Sequence, residues 1–418
     1  MSYVDHIAYW ESGRKVDNPL GPFDCGASDF PQVYHDLNVL KDRCSRTSIA
    51  HGPTSLWRYA DVLPIDDPND AVSLGEGWTP MLAMPRIGET LGLANLLAKD
   101  EGRNPSGTFK DRGASVAVSR LKELGVKTVV LNSSGNAGGS WAMYAARAGI
   151  RCINLLPEDV LPASLQQCVL SGASTFILDG PWSEASRLVA ESARTNGWMD
   201  MRTLKEPYRL EGKKTMGYEI AEQLDWALPD AIAYPCGGGL GAIAIYKAFR
   251  EMQEIGWVPQ GPLPILIITQ YEGCAPIVQA FDEDIDHAKP WADLDVLPGG
   301  LKSPYPSGDK AVLQLIRETA GTAIAVSAED SLRTAESIAK LEGIFVCPES
   351  ATTLFGLRKA VDAGVVQSGD CVVAVITGNG LKSVPVFDDA LVRRIQLGRA
   401  GEYDDFPKAK TILIENGT

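Results

Sequence analysis

Histidine is nearly missing from this sequence: it has four in 418 residues, and none is paired at the spacing that metal sites use. Cysteine is present but scattered, at positions 25, 44, 152, 168, 236, 274, 347 and 371, with no C-x-x-C pair, which argues against a zinc ribbon. Cys152, Cys236, Cys347 and Cys371 fall in or beside apolar runs, where a free thiol behaves as a small hydrophobe. A metal site therefore has no support. No apolar run reaches the roughly 18 residues of a membrane span, and the start, MSYVDHIAYWESGRK, lacks the apolar stretch of an export signal. The expectation is a cytoplasmic protein with no membrane partner. Positive charge is also short, with Lys+Arg 39 against Asp+Glu 53 and a net charge of -14. Such a chain repels phosphate backbones, so nucleic acid is a poor partner. Small anions answer to local fields instead.

What is present is ordinary in bulk, with 45% hydrophobic and 22% charged residues, and long enough for two domains. Glycine, at 41 residues, exceeds its usual share of ~7% and sits between apolar runs, which favours tight turns and close backbone–ligand approaches. From about residue 90, short β-rich runs alternate with helix-period segments: TVVLNSS, RCINLLP, STFILDG, AIAYP, ILIITQ, TAIAVS and CVVAVIT, with helical patterns after TVVLNSS, RCINLLP, STFILDG, AIAYP and TAIAVS. Nine or so strands so arranged predict α/β architecture, two open parallel-sheet domains covered on both faces. No fixed-period repeat or flexible linker interrupts them. The first ~70 residues are Pro-rich, aromatic and irregular, and read as an extension wrapped on the main body.

Three strand–turn–helix junctions are candidate binding loops, because ligands of open α/β sheets bind beyond the carboxyl ends of strands. In LNSSGNAGGSW, Ser133, Ser134, Gly135 and Asn136 would offer free N–H groups at a helix N-terminus, suited to a carboxylate or phosphate; an ordinary cap with turn glycines is an equal reading. In YPCGGGLGAIAIY, Gly237, Gly238, Gly239, Leu240 and Gly241 let the backbone approach an anion. That string also satisfies G-x-G-x-x-A, with Glu272 after the next strand, so a nicotinamide oxidoreductase is a rival from a different class. In VAVITGNGLKS, Thr377 ends a strand, where a plain turn residue is the blander reading. A fourth segment, NPSGTFKDRG, places Lys110 after Phe109 at the start of a helix whose field disfavours an ammonium. Most lysines are solvated charges; burial or a neighbouring cation is what makes one a nucleophile. A nucleophilic lysine, a carboxylate loop, a phosphate loop and a strand-end hydroxyl together suit an aldehyde cofactor that forms a Schiff base, pyridoxal 5'-phosphate.

LGEGWTP, NPSGTFKDRG, SSGNAGGSWAMYAARAG, PYRLEGKKTMGYEIAEQL and TGNGLK, in that order over about residues 70–385, resemble threonine synthase and its close relatives, fold-type II pyridoxal-phosphate enzymes of the tryptophan-synthase-β-like group. The resemblance implies a lyase of amino-acid biosynthesis, eliminating phosphate from O-phosphohomoserine and adding water to give threonine, with a small amino acid as substrate and a homodimeric assembly. It implies Lys110 as the catalytic residue and cofactor anchor, Asn136 at the cofactor's 3-oxygen, Gly237 to Gly241 around its phosphate and Thr377 at its ring nitrogen. Ser133, Ser134, Gly135 and Asn136 would take the substrate carboxylate, and Arg209 the leaving phosphate, by charge-assisted bonds. The implied domains are an extension over 1–70 with a degenerate ribbon, a larger cofactor-binding domain of 71–115 and 213–390, a small mobile domain of 116–212 inserted in it, and a tail over 391–418. Three departures bear on the substrate. TLKEP puts Leu204 and Glu206 where the family has a hydroxyl and an amide, GGGLG replaces the usual asparagine-containing loop, and Cys25 and Cys44 are what remains of a metal ribbon. These keep open a second reading: β-elimination or β-replacement on serine-, threonine- or cysteine-like substrates, as in a dehydratase, ammonia-lyase or sulfur-incorporating synthase.

Overall fold

The computed structural model describes residues 3–23, 28–180 and 182–383. Cys25, residues 384–390 of the expected larger domain and the expected tail over 391–418 lie outside them. Thirteen strands occur among the described residues: β1 (Val4–Tyr9), β2 (Lys15–Val16), β3 (Pro31–His35), β4 (Met81–Ala83), β5 (Asn95–Asp100), β6 (Thr128–Asn132), β7 (Arg151–Pro157), β8 (Ser174–Leu178), β9 (Met199–Asp200), β10 (Ala231–Pro235), β11 (Ile265–Tyr271), β12 (Thr322–Val326) and β13 (Cys371–Ile376). They form a six-stranded sheet in the order β12-β11-β10-β13-β5-β4, a four-stranded sheet in the order β8-β7-β6-β9 and an antiparallel sheet β2-β1-β3. All pairings in the first two sheets are parallel except that of β4 with β5. This is the α/β class expected from the alternation. The N-terminal stretch is more regular than its composition suggested, since Pro31–His35 pairs along β1 and Asp36 caps a helix over Leu37–Arg43.

Period-two burial explains why the central strands read as continuous apolar runs. In β10, Ile232 and Tyr234 enter one core while Ala231 and Ala233 enter the other. Val373 and Val375 of β13 likewise face the first core, and Val372, Ala374 and Ile376 the second. A strand buried on both faces has no polar side to alternate with. The helices Tyr208–Gln223 and Leu240–Glu254 cover one face of the large sheet, and Pro348–Asp362 packs on the other. A third core joins the small sheet to the helices Lys110–Glu123 and Asn136–Ala148 through Val129, Leu131, Val118, Trp141 and Tyr144.

The connections place a switch point in the large sheet. From β10 the chain moves to β11 and β12 on one side, while β13 lies on the other, next to β5. Ligands of such sheets sit beyond the carboxyl ends of the strands at this reversal. Among the described residues no helix is long and apolar enough to cross a membrane.

Candidate active site

Three adjacent strands deliver their following loops to that place. After β5 come the turn Glu101–Arg103 and the loop that starts the helix at Lys110; after β13 comes Thr377; after β10 comes the glycine loop. A bridge between Thr108 and Gly378, and a hydrogen bond from Phe109 N to Thr377 O at 3.0 Å, stitch the first two loops together. From the small sheet, β6 adds Ser133 to Asn136. Of the residues expected to hold cofactor or substrate, all but Gly135 line one cavity of about 570 Å³.

Lys110 is half-buried on that cavity, its amine 4.4 Å from the centroid of the Phe109 ring. Burial, then the Arg209 guanidinium, lower its pKa to about 8, with Glu349 acting in the opposite sense. Its neighbour Asp111 faces away and anchors the turn, accepting from Ser106 N at 2.6 Å and Ser140 Oγ at 2.5 Å.

The glycine loop is shaped by close approaches. Gly239 has φ +87 and caps the helix Leu240–Glu254, and a Cβ on Gly241 would fall 1.8 Å from the Tyr234 hydroxyl. Packing therefore accounts for part of its glycine content. Gly238 differs: a Cβ there would meet only Thr203 Cγ2 at 3.5 Å and Ser303 Oγ at 3.9 Å, so its backbone borders the cavity. Ahead of the other helix, Gly135 has φ +139 and Ser133 Oγ accepts from Gly135 N at 3.1 Å and Gly138 N at 3.0 Å. The Ser133 oxygen thus caps the helix, as its blander reading had it, while its residue still lines the cavity. Asn136 Oδ1 accepts from Ser164 Oγ at 3.1 Å, which leaves its amide N–H groups for a ligand. Thr377 Oγ1 lies 3.2 Å from Ser350 Oγ, which also meets Cys347 Sγ at 3.0 Å and accepts from Gly378 N at 3.2 Å.

Arg209 also lines the cavity; it donates to Thr203 Oγ1 at 3.1 Å and Met201 O at 2.7 Å, with its guanidinium carbon 5.2 Å from the Trp141 ring. The two substitutions that looked adverse to an anion point elsewhere. Leu204, at φ +59, is buried in the main core against Ile243. Glu206 is fully buried and accepts from Tyr208 N at 2.7 Å and Arg209 N at 3.0 Å, so its carboxylate caps the helix from behind. Lys205, between those two, lines the cavity together with Lys213 and Lys302.

Lys213, Glu349 and Ser350 were missed as site residues. Lys213 lay inside a quoted motif, yet nothing in the text distinguishes it from the neighbouring Lys214. Glu349 and Ser350 follow Val346, which makes only an isolated bridge to Asn379, so no strand signal marked their junction.

The donor set fits a phosphorylated aldehyde cofactor: an amine of lowered pKa, a backbone cradle at a helix N-terminus, a strand-end hydroxyl and an amide. Comparison with known proteins gives the same direction. A family model described as pyridoxal-phosphate dependent enzyme matches residues 72–378. The threonine synthase of Methanocaldococcus jannaschii is 34% identical over 379 residues, covering 90% of this chain and 91% of that one. The threonine synthase of Methanosarcina acetivorans is 37% identical over 355 residues, covering 85% and 84%. In fold, maize serine racemase superposes with a TM-score of 0.61 at 19% identity, covering 72% of this chain and 88% of that one. The processed form of threonine deaminase isoform 2 from Solanum lycopersicum does so with a TM-score of 0.61 at 16% identity, covering 80% and 83%.

Proposed function

The chain belongs to the family of pyridoxal-phosphate-dependent enzymes, and from that premise we propose that it is a threonine synthase, converting O-phosphohomoserine and water to threonine and inorganic phosphate. It is a lyase, and its cofactor is pyridoxal 5'-phosphate. The observation that carries the substrate is the cationic lining of the cavity: Arg209, Lys213, Lys205 and Lys302 line it together with Lys110 and the glycine loop. A cavity with several cations besides the glycine loop suits an amino acid that carries an anion on its side chain. The likeness to threonine synthases over most of both chains supports the same choice.

In this reading Lys110 holds the cofactor through its amine, and the N–H groups of Gly238 to Gly241 hold the cofactor phosphate. Bound there, pyridoxal phosphate supplies an electron sink that stabilises negative charge on the carbons next to the substrate nitrogen. Asn136 donates to the cofactor's 3-oxygen. Thr377, oriented by Ser350, meets the ring nitrogen with a hydroxyl. A hydroxyl does not protonate that nitrogen as a carboxylic acid does, so the sink stays moderate and elimination is favoured over transamination. Ser134 and the free N–H groups around it take the substrate carboxylate. When free, the Lys110 amine would take protons from Cα and Cβ and return them at Cγ, which becomes the methyl group, and at Cα; with a pKa near 8 it is able both to accept and to return them near neutrality. Arg209 binds the phosphate that leaves Cγ, after which water adds at Cβ.

Incubating the cofactor-loaded protein with O-phosphohomoserine should release phosphate and threonine in equal amounts. Release of neither, from a protein that carries its cofactor, overturns the proposal and moves the search to β-substituted serine- and threonine-like substrates. The resemblance also carries the reading of a homodimer working in the cytoplasm; sedimentation at a single monomer mass would contradict the first part.

A further inference from the structure

The helix Tyr208–Gln223 holds two lysines side by side with opposite surroundings. Lys214 is fully buried and saturated, 2.7 Å from Glu211 and 2.9 Å from Glu251. Lys99, fully buried too, donates to Thr79 O at 2.7 Å, Glu219 at 2.8 Å and Gln223 at 2.8 Å. Lys213 is only 2% exposed and lines the cavity, yet among the described residues its buried amine makes no hydrogen bond. One turn before it on the same face, the Nε of Arg209, a residue 5% exposed, is also without an acceptor, and the Glu206 carboxylate is 3.7 Å from it. Burying a donor without a partner is costly, so two of them one turn apart on the wall of a cavity mark a place that an acceptor fills.

The neighbours show what kind of acceptor. The Lys213 amine lies 3.4 Å from the Phe109 ring centroid, on the ring that the Lys110 amine also approaches. Lys110 and Arg112 from the helix Lys110–Glu123, and Arg209 from its own helix, oppose its charge; Glu101, from the turn after β5, favours it. Gly113 keeps the passage open, since a Cβ there would fall 2.8 Å from Arg209 Cγ and 3.4 Å from Lys213 Cε. Both stems run past this glycine, and both residues line the cavity. A group with several anionic oxygens would answer both orphan donors at once.

We propose that Lys213 joins Arg209 in seating the phosphate group of the substrate. This rests on the reading of the enzyme as one that expels phosphate. Burial and the surrounding cations push the Lys213 amine well below its ordinary pKa, so an arriving phosphate should also bring a proton to it.

Inorganic phosphate is the probe, titrated calorimetrically at pH 7.5 into the cofactor-loaded protein, whose cofactor-phosphate cradle is already filled. Lys213→Met should weaken binding by roughly 10- to 100-fold, the loss of one charge-assisted hydrogen bond. Lys213→Arg should restore most of the affinity. Repeating the titration in two buffers of different protonation enthalpy should show proton uptake in the unmodified protein and none in Lys213→Arg, whose side chain is always charged. Should Lys213→Met fail to take up cofactor, Lys213→Gln replaces it with the same expectation. Affinity within twofold of the unmodified protein in the neutral variant overturns the seat, even if the enzyme makes threonine. Phosphate binding that depends on Lys213 in a protein inactive on O-phosphohomoserine would instead uphold the seat and overturn the assigned reaction.

Discussion

Lys110 and Arg209 come from different helices, and the charge of one depresses the pKa of the other's amine. Schiff-base formation needs the neutral amine, which predominates above its pKa. Attachment of pyridoxal phosphate to the cofactor-free protein should therefore rise with pH through a midpoint at about 8, where a solvated lysine would wait until about 10.4. Stopped-flow absorbance across pH 6–10 checks this, and Lys110→Ala should show no covalent attachment at any pH. Glu206 allows a second test, because its carboxylate serves the helix rather than the ligand. Glu206→Gln keeps an acceptor for Tyr208 N and Arg209 N, whereas Glu206→Ala removes it and should lower stability by about 1–2 kcal/mol by urea unfolding. Lys110, Arg209 and the loop glycines were legible because each sits in a distinctive local string. Lys213 and Ser350 were not, since what sets them apart is a neighbour more than twenty residues away: Phe109 for one, Thr377 for the other.

The site exists because two helices cross unusually closely. A Cβ on Gly212 would fall 2.0 Å from the carbonyl oxygen of Arg112, so the helices Lys110–Glu123 and Tyr208–Gln223 touch backbone to backbone at that point. This crossing sets Arg209 and Lys213 beside Lys110. Gly212→Ala must push the helices apart, and overpacking of this kind costs about 1–3 kcal/mol or more. The expected signature is a lowered Tm together with a Lys110 amine that attaches cofactor more slowly. Gly261→Ala, where a Cβ meets nothing within 4 Å, should change neither. Elements of this size were read well wherever burial on both faces left a continuous apolar run, as in β10, β11 and β13. β9 is two residues long and β4 three, too short for periodicity to register. The 348–362 helix escaped notice for a different reason: PESATTLFGLRKAVD mixes threonine and charge on faces that only the packed structure separates.

Across the whole described chain, a buried ionic cluster joins the segments that carry the site. Arg112 pairs with Glu101 at 2.6 Å and with Glu219 at 2.6 Å, Lys99 reaches Glu219 at 2.8 Å, and Glu219 also accepts from Trp78 N at 2.7 Å. The LGEGWTP segment, β5 and both crossing helices thus share one set of charges. Each charge is satisfied, which is the condition for keeping it inside; removing one partner of such a pair typically costs about 3–5 kcal/mol, so Arg112→Met should unfold far more readily. The pH dependence of the cluster has a definite sign. Arg112, Lys99 and the hydrogen bonds they donate hold the Glu219 carboxyl down at about 2 against the cost of its burial. Between about 4.5 and 2 the unfolded chain therefore binds a proton that the folded chain refuses, and stability is lost as pH falls through that window. Asp111 works in the opposite direction, because burial lifts its carboxyl to about 6; its folded form accepts a proton first, and its penalty eases as pH falls from 6 towards 3.8. Urea unfolding of the native chain and of Glu219→Gln, followed from pH 7 downward, separates the two. The difference between them should be constant above about 4.5 and shrink below it. A difference that stays constant through pH 4 would mean that the Glu219 charge contributes nothing to holding these segments together.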